Sequence, residues 1–192
     1  MNNYILATNN QKKLKELQQA FPNEKIVSYT EFCSKVDIDE VGESYKENAL
    51  IKAKAVSQVI NHSVIGDDGG LELKACPTEL GLYTSRFFEK GMTDRQMNEK
   101  LLDLLKTKQD RSFELHACLV WFDKSNEPII IEKVLKGHVS EEMKGHEGYG
   151  FDTILIPEGY RQTLAELSTS ERNKLSPRNQ AFEELIRRNS HV

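Results

Sequence analysis

Two adjacent carboxylates, Asp67 and Asp68, separate a short apolar run from two glycines in the segment VIGDDGGLEL. Adjacent side chains on extended backbone point to opposite faces, so the two aspartates can serve different purposes. A carboxylate in a cleft can hold Mg²⁺ through oxygen or accept a proton from water. The structural alternative is an Asx turn in which the glycines supply positive φ. In either case the pattern predicts a turn between two strand pieces, residues 64–66 and 71–74.

A second segment with possible chemistry is ATNNQKK, residues 7–13, between the opening strand and its helix. A helix N-terminus exposes unpaired N–H groups and partial positive charge, which suit phosphate. Lysines in the first turn are unfavourable unless an anion is present. An asparagine N-cap with solvated lysines is the alternative explanation. The segment lacks the GxxxxGK[ST] pattern, which disfavours a P-loop enzyme. The side chains concerned are Thr8, Asn9, Asn10, Lys12 and Lys13.

Two further segments are strongly charged. Residues 37–43, DIDEVGE, supply carboxylates that could complete a magnesium site with the aspartate pair, although acidic runs are also common in solvated loops. Residues 170–181 gather Arg172, Lys174 and Arg178 around a helix start, where cations again favour a bound anion. A solvated basic loop is the alternative for that segment.

A fifth segment, GHEGYGFDTILIPEGY at residues 145–160, alternates glycines with aromatic side chains. An aromatic ring on a glycine-flanked loop, here Tyr149 or Phe151, can present its face to a nucleobase. A carboxylate such as Asp152 can accept hydrogen bonds from the edge of the base. A turn with aromatic side chains in the core explains the pattern equally well.

Helices that interleave with strands predict a mixed α/β class, α/β or α+β, with a twisted mixed sheet. Apolar spacing and helix-start signals predict the helices, and alternating or continuous apolar runs predict the strands. We expect strands over residues 4–8, 113–123, 128–138 and 152–156, with the middle two forming a hairpin. We expect helices over residues 11–21 and 45–61, and a third from a capping box at Thr93 to residue 105. We also expect a short helix after Ser168 and a C-terminal helix with Pro177 at its first position.

The composition of the 192 residues bounds the class of protein. Hydrophobic residues make up 38% and charged residues 29%, as in globular proteins, and the net charge of −4 does not suggest nucleic-acid binding. The three scattered cysteines indicate neither a disulfide framework nor a zinc site. With no signal peptide and no apolar run of membrane-spanning length, we expect a single cytoplasmic domain over residues 1–192 with no membrane partner.

Taken in order, the five segments resemble the inosine/xanthosine triphosphate pyrophosphatase family. The match runs through LATNNQKKLKEL, ESYKENALIKAKA, GDDGGLEL, GYGFDTILIPEGY and AELSTSERNKLSPR. The resemblance implies two α/β lobes on a long twisted mixed sheet with a nucleotide cleft between them, commonly as a homodimer. It also implies Mg²⁺-dependent hydrolysis of non-standard purine nucleoside triphosphates (ITP, dITP and XTP) to monophosphate and pyrophosphate, which cleans the nucleotide pool.

The resemblance also implies roles for individual residues. Asp68 matches the family's proton-accepting aspartate, and Glu40 and Asp68 match its magnesium carboxylates. Arg172 and Arg178 fall on basic substrate contacts. The remaining substrate-binding positions carried over are Thr8, Asn9, Asn10 and Lys13 of the phosphate loop, Gly69 after the aspartates, and Tyr149, Gly150, Phe151 and Asp152 of the base loop.

Several positions depart from the family pattern. The family usually has a serine where this chain has Gly69, and its Ser-His-Arg reads Ser176-Pro177-Arg178 here. A glycine of the first loop is replaced by Asn9, and a lysine by Arg172. These departures leave two alternatives open: a nucleotide-binding protein of the same fold with weak activity, and an enzyme with shifted base specificity.

Overall fold

The computed structural model describes residues 3–189, apart from the side chain of Ser85. The strands are Asn3–Ala7 (β1), Lys25–Ser28 (β2), Val64–Leu73 (β3), Ser112–Phe122 (β4), Ile129–Val139 (β5) and Leu155–Pro157 (β6). The helices are Gln11–Ala20 (α1), Tyr45–Ile60 (α2), Thr84–Phe87 (α3), Asp94–Leu105 (α4), Thr169–Leu175 (α5) and Pro177–Asn189 (α6). Within residues 3–189, no helix has both the length and the apolar character needed to cross a bilayer.

The described strands form one mixed sheet in the order β2-β1-β3-β4-β5-β6. β1 pairs in parallel with both β2 and β3, and β5 pairs antiparallel with β6. The parallel pairs require crossover connections, which α1 and α2 provide. β4 and β5 are neighbours, as the predicted hairpin requires. The expectation of a mixed α/β fold is confirmed.

The predicted turn at the aspartate pair is wrong, because Val64–Leu73 is one continuous strand with both aspartates inside it. The strand tolerates them because each carboxylate is paired with cations from neighbouring helices. Gly66 has a packing role instead of a turn role. A Cβ at this position would lie 1.8 Å from the carbonyl oxygen of Ala49, so glycine lets α2 lie close against β3.

The strand predicted over residues 152–156 is shorter than expected and begins at Leu155. The preceding residues form a turn in which the N–H of Asp152 donates to the carbonyl of Tyr149 at 3.2 Å, and the N–H of Ile154 donates to that of Phe151 at 3.0 Å. These local bonds use backbone groups that a longer strand would have given to the sheet.

The helix starts agree with the predicted caps. The side chain of Ser44 accepts the N–H of Glu47, and complete capping boxes open α4 at Thr93 and α5 at Ser168. Pro177 is the first residue of α6, where its missing N–H costs nothing. These ends were predictable because a cap involves residues only three positions apart.

The chain divides into two compact units with separate hydrophobic cores. The first unit comprises the chain up to Gly69, Ala117–Lys133 and the chain from Pro177 onward. The second comprises Gly70–His116 and Val134–Ser176. In the first unit, α1 and α6 pack on one side of β1 and β3, in a cluster that includes Leu17, Ile65 and Phe182. Helix α2 packs against the same strands in a second cluster, which includes Val56 and Val64. The second core includes Leu73, Leu101, Leu105, Phe113, Ile154 and Leu164.

Candidate active site

The Asp67 carboxylate is fully buried in the first unit and contacts two cations. Lys13 Nζ lies 2.9 Å from its Oδ1, and Arg178 Nε donates to its Oδ2 at 2.7 Å. Burial alone would raise the pKa of Asp67, but the Arg178 guanidinium, followed by the Lys13 ammonium, holds that pKa well below its usual range. Asp67 is therefore ionised at neutral pH, and it orients one basic side chain from α1 and one from α6.

Lys13 lies in a crowded cationic environment. Its side chain is only 17% exposed, and burial lowers its pKa. The Asp67 carboxylate opposes that shift, whereas the nearby charges of Arg178 and Lys52 add to it. Arg178 has a second carboxylate partner, because its Nη1 donates to Glu16 Oε2 at 2.7 Å. The three cations Lys13, Lys52 and Arg178 are thus ion-paired with four carboxylates, those of Glu16, Glu40, Asp67 and Asp68.

Asp68 points to the α2 side of β3, where it contacts Lys52. Lys52 Nζ lies 2.7 Å from Asp68 Oδ1 and 2.8 Å from Glu40 Oε2. The same ammonium donates to the carbonyl of Asp67 at 3.1 Å. Burial opposes the charge of Lys52, but Asp68, together with Glu40, outweighs it and raises the lysine pKa. The two predicted magnesium ligands, Glu40 and Asp68, thus contact the same ammonium group, that of Lys52. Gly69 is the next residue of β3 after Asp68.

The start of α1 is closed by an internal cap. The Asn10 side chain accepts the N–H groups of Lys12 and Lys13 at 3.0 and 3.4 Å, which confirms the asparagine N-cap. The companion expectation of solvated lysines is wrong for Lys13, whose side chain is only 17% exposed, whereas Lys12 lies at an exposed position. Thr8 Oγ1 accepts the N–H of Asn10 at 3.1 Å, and the Tyr29 hydroxyl donates to Asn9 Oδ1 at 2.8 Å.

In the second unit, Asp152 organises the glycine-rich loop. Its Oδ2 accepts the N–H of Tyr149 at 3.0 Å and lies 3.9 Å from Arg172 Nε. Gly148 has φ +79°, and a Cβ there would lie 2.0 Å from Asp152 Oδ2, so only glycine permits this contact. The structure therefore brings together three predicted substrate-binding residues of this unit: Tyr149, Asp152 and Arg172.

Two residues in the first turn and a half of helix α4 form hydrogen bonds with the same loop. Asp94 Oδ2 accepts the N–H of Gly150 at 2.8 Å, and Asn98 Nδ2 donates to the carbonyl of Gly150 at 2.9 Å. Asn98 also donates to Thr153 Oγ1 at 2.8 Å. The aromatic ring of the next loop residue, Phe151, lies 5.8 Å from the ring of Phe88, measured between their centroids. Both backbone polar groups of Gly150 are thus bound, and the loop is preorganised.

Sequence reasoning did not point to Lys52 or Glu16, and it did not assign Asp67 its role as the partner of two cations. Lys52 carried a signal, because it lies on α2 among the buried positions Ala49, Ala53 and Val56, where a lysine needs a buried partner. Glu16 lies one helical turn after Lys13, but that spacing is common on solvated helices. No local pattern distinguishes the role of Asp67 from that of Asp68.

Comparisons with known proteins define the class. The Ham1 family profile matches residues 4–188. The chain is 33% identical over 183 residues to the dITP/XTP pyrophosphatase of Staphylococcus epidermidis, covering 95% of this chain and 93% of the relative. It is 34% identical over 187 residues to the dITP/XTP pyrophosphatase of Coxiella burnetii, covering 94% and 93%.

Solved structures agree with that class. A HAM1 protein from Coxiella burnetii superimposes with a TM-score of 0.87 at 32% identity over 100% of both chains. The Ham1 protein of Staphylococcus aureus superimposes with a TM-score of 0.83 at 28% identity over 96% of each chain. The chain belongs to the Ham1 family. The resemblance inferred from the five sequence segments is confirmed.

Proposed function

We propose that this chain is a Mg²⁺-dependent nucleoside triphosphate pyrophosphatase that hydrolyses non-standard purine substrates, namely dITP, XTP and ITP, to monophosphate and pyrophosphate. The observation that carries the proposal is the meeting of Glu40 and Asp68 at Lys52, in the same unit as the Lys13–Asp67–Arg178 cluster. The names of the relatives, dITP/XTP pyrophosphatase, support the choice of substrate. Its role would be sanitation of the nucleotide pool.

The triphosphate would be bound by the cations of the first unit. Lys13 and Lys52 extend from two different helices, and Arg178 is held by two carboxylates. Charge-assisted bonds to phosphate are about twice as strong as neutral ones, roughly 1.5–3 kcal/mol each. A triphosphate would also relieve the repulsion that Arg178 and Lys52 exert on Lys13. Thr8, Asn9 and Asn10 would supply neutral hydrogen-bonding groups at the start of α1.

Asp68 would accept the proton of the attacking water. Lys52 engages Asp68 Oδ1, so we assign the proton to Oδ2. The oxygen of water forms a bond to the α-phosphorus, the bond from that phosphorus to the α,β-bridging oxygen breaks, and pyrophosphate leaves with the bonding electron pair. Asp67 would act through Lys13 and Arg178 as a positioning residue.

The residues present fit a magnesium ion. The Lys52 ammonium already contacts Glu40 and Asp68 at 2.8 and 2.7 Å, so both carboxylates can serve one cation. Mg²⁺ prefers one or two protein carboxylates together with substrate phosphate oxygens. Glu40 and Asp68 would hold the ion, which when bound would supply charge neutralisation at the phosphate oxygens.

The base would be recognised by the loop of the second unit. Tyr149 and Phe151 would place aromatic rings beside the base, with Phe151 supported by its packing on Phe88 and the second-unit core, and the geometry of Gly150 is set by its bonds to α4. Asp152 is already oriented by the Tyr149 N–H and by Arg172, so its carboxylate is preorganised. Preorganised polar groups discriminate between bases better than apolar surfaces do.

A second candidate function is nucleotide binding with weak activity or shifted base specificity. The observation that favours it is the pair of departures at Gly69 and Pro177. Gly69 supplies no hydroxyl, and Pro177 is buried at the first position of α6 and supplies no hydrogen-bond donor. Tight triphosphate binding without turnover at saturating Mg²⁺ would establish this function in place of the first.

The deciding experiment is a substrate panel with product identification. Purified protein is incubated with dITP, XTP, ITP, dATP and dGTP, with Mg²⁺ or with a chelator. We expect monophosphate and pyrophosphate from the non-standard bases only, and only with Mg²⁺. Asp68→Asn should lose about 10²–10⁴-fold in turnover, the usual contribution of a general base. Asp103→Asn, on an exposed position of α4, is the matched control. Release of orthophosphate alone would exclude the proposed reaction.

The remaining attributes belong to the same proposal. We propose one functional domain over residues 1–192, located in the cytoplasm and assembled as a homodimer. The free thiols of Cys33, Cys76 and Cys118 support a reducing compartment. Sedimentation velocity tests the dimer, and a single species at the monomer mass of 22.0 kDa would exclude it.

A further inference from the structure

Three side chains with metal-binding chemistry lie together in the second unit, and the proposed hydrolysis uses none of them. They are Glu72 on β3, and Glu114 and His116 on β4. Glu114 and His116 are two positions apart on one strand and therefore share a face of the sheet. Because β3 and β4 are neighbours, Glu72 can lie beside that face. One ligand atom from each residue lies within 4.8 Å of the others.

The two separations that involve His116 suit a small tetrahedral cation. His116 Nε2 lies 3.3 Å from Glu114 Oε2 and 3.5 Å from Glu72 Oε2. Zinc bonds of about 2.0–2.2 Å at tetrahedral angles place two ligand atoms about 3.3–3.6 Å apart. A metal could therefore enter with small side-chain adjustments and no change in the strands.

The surroundings of the cluster also suit a metal. Lys136 Nζ binds Glu114 Oε1 at 2.7 Å, so the lysine orients this carboxylate and leaves the other oxygen, Oε2, towards His116. Carboxylate ligands in metal sites are commonly held in this way by a partner outside the site. The side chains of Glu72 and Glu114 are 46% and 41% exposed, so an ion can reach their carboxylates from solvent, and the Nε2 atom of His116 lies buried beneath them.

We propose that Glu72, Glu114 and His116 form a binding site for Zn²⁺ or a divalent transition metal of similar size. An imidazole nitrogen beside two carboxylate oxygens favours such ions over Mg²⁺ and Ca²⁺, which prefer oxygen ligands throughout. Three protein ligands leave the fourth tetrahedral position to water. The ion would be additional to the Mg²⁺ proposed for Glu40 and Asp68, and its ligands belong to the second unit.

Equilibrium dialysis against Zn²⁺ in excess Mg²⁺ tests the site, with zinc counted per chain. His116→Gln and Glu72→Gln should each remove one zinc equivalent. Loss of a ligand should raise the zinc Kd by more than the roughly 10–100-fold that loss of an outer partner costs. His138→Gln, which removes an exposed imidazole from β5, is the matched control and should retain the zinc. Substitution of Co²⁺ should give the intense visible absorption of a four-coordinate ion in wild type and not in the two ligand variants.

The variants must be folded for the comparison, which circular dichroism and thermal unfolding establish. If His116→Gln does not fold, the more exposed Glu72→Gln decides the outcome. Equal zinc content in wild type and the folded ligand variants overturns the site. So does wild type without bound zinc, or loss of zinc from the His138→Gln control. In each of these cases the cluster is a set of polar contacts between the imidazole and two carboxylates and binds no metal. The assay does not measure nucleotide hydrolysis, so its result is independent of the proposed function.

Discussion

Lys13 Nζ lies 2.9 Å from Asp67 Oδ1, although the two residues are 54 positions apart. The contact links the first turn of α1 to the middle of β3, and Arg178 joins the same carboxylate from α6. The next residue on the strand, Asp68, contacts Lys52 of α2 instead. The two adjacent acids therefore serve opposite faces of one strand, the first as an anchor for cations and the second as the proposed reactive group.

Lys13→Ala should weaken the binding of triphosphate more than that of monophosphate. A sheltered charge-assisted contact is worth about 1.5–3 kcal/mol, which corresponds to roughly 10–150-fold in Kd. Calorimetric titration of both ligands measures the difference. Lys15→Ala, on an exposed position of the same helix, should leave both affinities unchanged. Equal losses for both ligands would place Lys13 away from the phosphate chain.

The stability of the protein should fall in acid through Asp67. The pKa of this carboxyl is below its usual range in the folded state, and in the unfolded chain it is about 3.9. Its contribution is therefore fully present above about pH 4 and is lost as the pH falls further. Urea unfolding at pH 5 and pH 3 should show a smaller loss in Asp67→Asn than in wild type. Asp103→Asn, at an exposed position, should behave as wild type. An undiminished loss in Asp67→Asn would assign the acid sensitivity to other groups.

Asn98→Ala should weaken nucleoside triphosphate binding and spare inorganic tripolyphosphate. Asn98 donates to the carbonyl of Gly150 and to Thr153 Oγ1, so its loss frees the loop proposed to hold the base. Competition assays with the two ligands measure the split. Asn126→Ala, in an exposed turn, is the control. A matched decrease for both ligands would show that the loop acts on the phosphates or only on overall stability.

Pro177→His should change the base preference more than the best rate. Proline at the first helical position is favourable but not required, so α6 should still form. An imidazole there could bond the 6-keto edge of hypoxanthine or xanthine, which proline cannot do. The ratio of kcat/KM for ITP to that for ATP should rise, and Pro22→His at an exposed position should leave it unchanged. Because Pro177 is buried, thermal unfolding must show a folded variant. A flat ratio in folded protein would mean that position 177 does not face the base.

Local sequence determined the helix starts and the order of the segments that carry chemistry. Caps such as Thr93 with Gln96 and Ser168 with Glu171 join residues three positions apart, so neighbouring residue types suffice to predict them. The same holds for the Asn10 cap of α1. The family could also be recognised from the sequence, because the five segments occur in the same order as in the members of that family.

Tertiary structure alone decided how the acid pair is used. Aspartates followed by glycines favour a turn by local propensity, yet β3 continues through them because cations 54, 16 and 111 positions away neutralise both carboxylates. Pairings over such distances depend on which helix packs on which face of the sheet, and no local pattern encodes that packing. The identity of the partners, Lys13 and Arg178 for Asp67 and Lys52 for Asp68, could therefore be known only once α1, α2 and α6 were in place around β3.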